Sequence, residues 1–222
     1  MKKAVVLLSG GLDSTTALAW ALSHGYQAFA LILDYGQKHS RELKSAVRIA
    51  KYYKVSYQRV RFSLPWGGSA LLGKKSKLPL SRSLKEINAG GIPSTYVPAR
   101  NTLFLSFALS YSEVLEANAI VIGANAVDYS GYPDCRAPYL KAVQQVARLG
   151  TKRGDEGNKI EILAPLIKMS KAEIIRLGTK LKVPYQWTWS CYSGGNSPCG
   201  ECDSCTLRKK GFEESRRTDP LF

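Results

Sequence analysis

The stretch Ala4-Val5-Val6-Leu7-Leu8-Ser9-Gly10-Gly11-Leu12-Asp13-Ser14-Thr15-Thr16-Ala17-Leu18 decides how this 222-residue chain is read. An apolar β-type run passes through a glycine–hydroxyl loop into a helix-like run. Such a junction is an anion cradle: loop amides and the first free helix N–H groups converge, and the helix dipole adds positive charge there. Gly10 and Gly11 let the backbone approach phosphate oxygens without Cβ interference, and Ser9 and Ser14 offer hydroxyl donors. The Walker pattern G-x-x-x-x-G-K-[ST] is absent, since no lysine opens the helix. A lysine-free cradle points away from γ-phosphoryl transfer and towards a nucleotide held by the pyrophosphate that it loses. The plainer alternative is a tight turn entering a helix.

The chain is long enough for one α/β domain with a small appendage, and its 45% hydrophobic content is ordinary for an enzyme. No apolar run has the length of a membrane span. After Met1-Lys2-Lys3 the apolar stretch is too short for a signal peptide, so the expectation is a cytoplasmic protein. A net charge of +15 is unusual. Basic residues cluster at Lys74, Lys75, Lys77, Arg82 and Lys85, and again at Arg208, Lys209, Lys210, Arg216 and Arg217. Nucleic-acid contact is one reading. A solvated basic surface on an enzyme with anionic ligands is the other, and the clusters lack the interleaved aromatics of a base-stacking platform.

Working outward from the cradle, β-like runs alternate with helical patterns, the signature of a parallel sheet with crossover helices. Strands are expected at Ala4–Leu8, Ala28–Leu33, Tyr57–Phe62, Ala119–Ile122 and Lys159–Leu163. Helices are expected at Ser14–Ser23, His39–Tyr53, Asn101–Ala117, Pro138–Leu149 and Lys171–Leu181, from apolar spacings of three and four. In such sheets ligands bind beyond the carboxyl ends of strands, where Ser9–Ser14, Asp34-Tyr35-Gly36 and Gly123-Ala124-Asn125 fall. The division expected is a nucleotide-binding domain over 1–184 and a metal-binding segment over 185–222. Within the first, 64–95 is rich in Gly, Ser, Lys and Pro and reads as a lid or binding loop.

Cys191, Cys199, Cys202 and Cys205 follow the spacing C-x7-C-x2-C-x2-C, with Gly194, Gly195, Pro198 and Gly200 making turns. Four thiolates on so short a loop suit one tetrahedral zinc; an iron–sulfur cluster is the rival, and disulfides do not fit a reducing compartment. A closed four-sulfur shell leaves no open position, which makes the metal structural. Trp187 and Trp189 lie on the approach to this loop, where core packing competes with stacking on a planar ligand. His24 sits at a helix end, where a basic residue suits the dipole, and His39 opens a helix near the ligand edge. Cys135 reads as a packed residue with a catalytic thiol as the alternative.

Ser9–Ser14 looks like the pyrophosphate loop of the N-type ATP pyrophosphatases. Val97-Pro98-Ala99-Arg100-Asn101, the run Gly123-Ala124-Asn125-Ala126-Val127-Asp128-Tyr129-Ser130-Gly131-Tyr132-Pro133-Asp134-Cys135-Arg136, Thr188-Trp189-Ser190-Cys191-Tyr192 and the cysteine tail resemble the 7-cyano-7-deazaguanine synthase family of queuosine biosynthesis. The resemblance runs through nearly the whole chain with its motifs in the same order. It implies a Rossmann-like parallel sheet with a small zinc-binding C-terminal segment. It also implies an ATP-dependent ligase that joins ammonia to 7-carboxy-7-deazaguanine and yields a nitrile, and a homodimer. It assigns ATP contacts to Leu8, Ser9, Gly10, Gly11, Leu12, Asp13, Ser14, Thr15, Thr16, Ala17 and Leu18, with magnesium offsetting phosphate charge. Arg100 and Asn101 become candidates for ATP or carboxylate contacts, and Asp13, Arg100 and Asp128 the candidate catalytic residues. Asp128, Asp134 and Trp189 are the candidates for binding the deazapurine, and the four cysteines match the zinc ligands. Lys168 and Lys171 are within reach of phosphates on this reading.

Plainer roles stand beside several of these. Asp13 suits a helix cap, Asn101 an N-cap of the long helix, and Asp128 and Asp134 loop solvation. The basic charge keeps a second reading open, in which the same adenylating fold modifies tRNA. A third is a specialised relative that joins a deazapurine to a protein.

Overall fold

Alternate residues of the opening apolar run face opposite ways, and each set has its own core. The computed structural model describes residues 1–37, 41–72, 77–89, 91–127 and 131–222. In β1 (Lys3–Leu7) the residues Ala4 and Val6, followed by Leu8, enter one hydrophobic core, while Val5 and Leu7 enter the other. A strand covered on both faces reads as a continuous apolar run, which is why Ala4–Leu8 lacks polar alternation. The remaining strands are β2 (Gln27–Asp34), β3 (Ser56–Arg61), β4 (Ala119–Val121) and β5 (Glu161–Leu163). They stand in the order β3-β2-β1-β4-β5, all neighbours parallel.

Helices α1 (Leu12–Ser23), α2 (Arg41–Tyr52) and α7 (Lys171–Lys180) supply the first core through Leu18, Ile49, Ile174 and their neighbours. Helices α4 (Arg100–Leu115) and α5 (Ala137–Leu149) supply the second through Leu105, Leu140 and Val143. Two short helices, α3 (Leu84–Asn88) and α6 (Lys152–Asp155), lie outside this frame, and α8 (Asp203–Glu214) packs on α7. The chain builds outward from β1 through β2 to β3, then returns past β1 to β4. The order reverses between β1 and β4, so a crevice opens at their carboxyl ends, where 8–11 and 122–127 emerge.

Three differences from the sequence reading have physical causes. The segment 64–95 is tied down where it is described. Leu72 bridges Gln37, Ala70 N donates to the Ser94 carbonyl at 2.7 Å, and Leu80 forms an antiparallel bridge with Cys202. Ser83 and Glu86 close a capping box on α3, and Arg82 pairs with Asp203. Leu64, Leu71 and Leu72 also join Tyr35 and Val97 in a small third core, too sparse a set to mark out a helix or a strand. The second difference is α8, absent from the expected elements. Its buried face is carried by Cys205, Arg208, Gly211 and Phe212 rather than by a hydrophobic stripe. A Cβ on Gly211 would lie 2.9 Å from Lys171 Cβ, so that glycine sets how closely α8 meets α7. The third concerns charge. Arg208, counted in a basic surface cluster, is only 3% exposed and holds Asp219 through Nε at 2.7 Å and Nη2 at 2.9 Å. It also donates to Thr188 Oγ1 at 2.8 Å and to the Tyr185 carbonyl at 3.3 Å.

Removing one partner of a buried ion pair strands the other charge. Asp219→Asn is expected to lower stability to urea by about 3 kcal/mol, while Arg208→Met combined with Asp219→Leu regains much of that loss. Equal losses in the single and double variants would count against the pair as the anchor of 185–222.

Candidate active site

The cradle is built by the loop after β1. Gly11 takes the N-cap position of α1 with extended backbone (φ −78°, ψ 170°) and offers no side-chain cap, so the first amides of the helix lack a side-chain partner from the cap residue. Ser9 Oγ and Ser14 Oγ lie 3.0 Å apart, and Gly11 N–H donates to Ser9 Oγ at 3.2 Å. Thr15 Oγ1 donates to the Gly11 carbonyl at 2.7 Å. Gly10 has a role other than a bare approach to phosphate. Its φ is +87°, and a Cβ there would strike the Glu42 carbonyl oxygen and lie 2.5 Å from Ala46 N, so it seats the loop against α2. A Cβ on Gly123 would likewise lie 2.9 Å from Ser14 N and Cα, which lets the β4 loop close on the β1 loop.

These loops line a cleft of about 300 Å³. Asp13 does not cap α1. Its carboxylate accepts from Lys171 Nζ at 2.6 and 2.8 Å, tying α1 to α7 at the cleft edge. Thr16, Ala17 and Leu18, assigned above to ATP contact, have no exposed surface. Thr16 Oγ1 bonds the Leu12 carbonyl and Tyr185 Oη, and Ala17 and Leu18 belong to the first core. With Thr15, also buried, they form the body of the helix that carries the cradle.

Arg100 opens α4, just after Ala99 in the left-handed region (φ 52°). Its guanidinium lines the cleft, and its Nε is buried without a partner. Tyr35 accepts a hydrogen bond from it, and nearby Tyr35 and Tyr132 hold it protonated against the cost of burial. Among the described residues it makes no ion pair. A cation so placed is set up to receive an anionic group from outside the chain.

Asn101, Asp134 and Cys135 form a separate knot. Asp134 Oδ2 accepts from the Asn101 backbone N–H at 3.0 Å, while Asn101 Nδ2 donates to the Asp134 carbonyl and to Cys135 Sγ. Ala99, not Asn101, is therefore the N-cap residue of α4, and Asp134 satisfies one of its first amides. Asp134 is 5% exposed and its carboxylate orients the Arg100–Asn101 turn, while Asn101 and Cys135 reach the cleft wall. Burial pushes the Cys135 thiol up to about 11, with the Asp134 charge adding to it, which favours the protonated thiol at neutral pH. Asp128, Lys74, Lys75 and His39 lie outside the described residues. His24 caps α1, its Nδ1 2.8 Å from the Trp20 carbonyl.

Sequence reasoning missed Glu42 and the aromatic wall of Tyr35, Tyr132 and Tyr192. Glu42 stands in the first turn of α2 with its carboxyl on the cleft beside Ser9 and Gly11. Burial raises its pKa to about 7 despite the Arg100 charge and a hydrogen bond from Ser9. The signal available was an acid in the first turn of the helix that follows β2. It looks the same as any dipole-favoured acid at a helix start.

The four cysteines converge. Their sulfurs all lie within 4.8 Å of one another, with Cys191 and Cys199 at 3.5 Å and Cys199 and Cys205 at 4.0 Å. Backbone N–H groups of Ser193 and Cys199 point at Cys191 Sγ, and that of Cys202 at Cys199 Sγ, as around a thiolate-bound cation. The group can hold one metal ion. Its loop also braces the cradle: Trp189 N–H donates to the Gly10 carbonyl at 2.9 Å and Trp189 Nε1 to the Cys191 carbonyl at 3.0 Å. The Trp189 ring, 4% exposed, carries the Arg41 guanidinium 4.3 Å above it, while an edge reaches the cleft wall.

Comparison with known proteins agrees with this architecture. A protein of Trichodesmium erythraeum named 7-cyano-7-deazaguanine synthase is 56% identical over 99% of this chain and 100% of its own length. One of Thermoplasma volcanium with the same name is 53% identical over 99% of this chain and 90% of its own. Among solved structures, a predicted subunit of tRNA methyltransferase from Methanocaldococcus jannaschii superposes with TM-score 0.53 over 81% of this chain and 75% of its own, at 13% identity, a likeness of fold alone. What the two share is a parallel sheet with crossover helices. The family described as queuosine biosynthesis protein QueC matches residues 3–216, and by that match and those identities this chain belongs to it.

Proposed function

We propose that this protein converts 7-carboxy-7-deazaguanine and ammonia to 7-cyano-7-deazaguanine at the expense of ATP. The observation that carries the reading is one cleft with a lysine-free anion cradle on one wall and the buried cation Arg100 on another. The shared name of relatives more than 50% identical over nearly the whole chain supports it. A carboxylate resists ammonia because it has no tolerable leaving group. Attack of its oxygen on the α-phosphate of ATP breaks the bond to pyrophosphate and gives an acyl-adenylate, from which AMP can leave. The amides of the Ser9–Ser14 loop and the α1 dipole favour the charge gathering on the phosphates, and Arg100 holds the reacting carboxylate or its adenylate. Asp13 is the carboxylate that would hold magnesium at the cradle; Lys171, its present partner, then becomes an ammonium for phosphate. Asp128 remains the candidate for the guanine-like edge, and Trp189 for one side of the ring. A homodimer and a cytoplasmic location belong to the same proposal.

The metal of the cysteine loop is proposed to be zinc. Tetrahedral zinc with Zn–S near 2.3 Å sets its sulfurs about 3.8 Å apart, and the separations of 3.5 and 4.0 Å bracket that value. With four thiolates it has no place for substrate, so what it supplies is shape.

Three measurements test these readings. Incubation with ATP, 7-carboxy-7-deazaguanine and heavy-nitrogen ammonium is expected to give the labelled nitrile by mass spectrometry, with ATP consumed only when the deazapurine is present. ATP consumption driven by tRNA instead would favour the other adenylating reading. Metal analysis is expected to find about one zinc per chain. Chelation should speed amide exchange in both 80–82 and 189–191, because Cys202 bridges Leu80 and the cysteine loop carries Trp189. Exchange unchanged after full metal loss would remove the metal from that bracing role.

A further inference from the structure

Glu42 is a carboxyl on the cleft that the adenylation chemistry leaves without a task. Its carboxyl stands over the cradle: an ideal Cβ on Gly11 would lie 3.7 Å from Glu42 Oε1, and Ser9 of the same loop hydrogen-bonds it. Arg100 is near enough to interact with its charge, and Tyr35, just beyond β2, is a further titratable neighbour among the described residues. Asp13 and Lys171 are paired with each other, and Trp189 and Ser190 bring no charge to the cleft. On the function proposed above, Glu42 therefore neighbours both the loop that would take the phosphates and the cation that would take the carboxylate. A fixed negative charge there would oppose a triphosphate, whereas a carboxyl that gains and loses a proton near neutrality need not.

We propose that Glu42 is the catalytic proton acceptor for the substrate nitrogen, an inference that rests on the function proposed above. Ammonia adds to the acyl-adenylate carbonyl. As the carbon–oxygen bond to AMP breaks, one N–H proton passes to the Glu42 carboxylate and the primary amide remains. Glu42 gives that proton to water before the second activation. The amide oxygen then attacks the α-phosphate of a second ATP, releasing pyrophosphate and leaving a cationic imidate adenylate. Its nitrogen loses one proton to Glu42. After Glu42 has released that proton to water, the nitrogen loses a second as the bond to AMP breaks and the carbon–nitrogen triple bond forms. With burial holding Glu42 at about 7, it is a base matched to neutral pH.

The test separates activation from nitrogen transfer in Glu42→Gln. Activation is read by carboxylate-dependent exchange of labelled pyrophosphate into ATP, and nitrogen transfer by amide and nitrile formation at a constant concentration of uncharged ammonia. The wild-type transfer rate is expected to rise with pH through about 7, as Glu42 loses its proton. In Glu42→Gln that limb disappears and transfer falls by about 100-fold or more, while exchange falls far less. Hydroxylamine, largely uncharged at neutral pH and strongly nucleophilic, should recover acyl transfer in the variant. Retained exchange also shows that the variant is folded. Transfer that keeps the wild-type rate and pH limb overturns the proposal, as does an equal loss of exchange and transfer, which would make Glu42 a binding or magnesium residue. Wild-type protein with no carboxylate-dependent exchange overturns the proposed function itself, and this inference with it.

Discussion

The cleft depends on one place where no side chain can be accommodated. At Gly10 the cradle loop turns through a left-handed conformation directly against the backbone of α2, and its carbonyl takes the hydrogen bond from Trp189. Any Cβ there would meet the Glu42 carbonyl and the Ala46 amide. Three segments far apart in sequence meet at that point: the strand-to-helix turn, the start of α2 and the approach to the cysteine loop. Because α2 begins so close, Glu42 overlooks the cradle. Gly123 repeats the device on the other side, where the β4 loop lies against the first residues of α1. The crevice follows from strand order, but its narrowness follows from these two glycines.

The order of β and α elements was legible because a sheet buried on both faces writes itself as uninterrupted apolar runs, as Ala4–Leu8 and Ala119–Ile122 do. The cysteine grouping was legible because all four ligands lie within one short loop. Less of the site could be read. Glu42 and Arg100 act through burial and through what they do not contact, and neither property has a local signature. The bonding of Asn101 to Asp134 was not legible either, because polar side chains next to a suspected site carry no mark of direction. The structure turns them towards each other to finish the start of α4. Helix α8 escaped because its inward face is led by an arginine whose counter-ion, Asp219, lies beyond the helix.

The same pair changes the meaning of the charge. A count of Lys and Arg over Asp and Glu treats every cation as surface, yet Arg208 is interior and Arg82 is bound to Asp203. Arg100 is walled by aromatic rings. These arginines thus fasten the tail and equip the cleft, and the two paired with aspartates add nothing to the net charge.

The Trp189–Gly10 hydrogen bond also orders events in time. All five strands are complete by residue 163, and their parallel pairing needs nothing from the tail. During synthesis the sheet can therefore assemble while the cradle turn has one flank unsupported. Only when residues 185–219 dock, with Arg208 meeting Asp219, is that flank closed. A chain halted after β5 would hold the strands of the sheet but neither α7, which covers one face, nor the tail that closes the cradle, so the nucleotide-gripping turn is completed last.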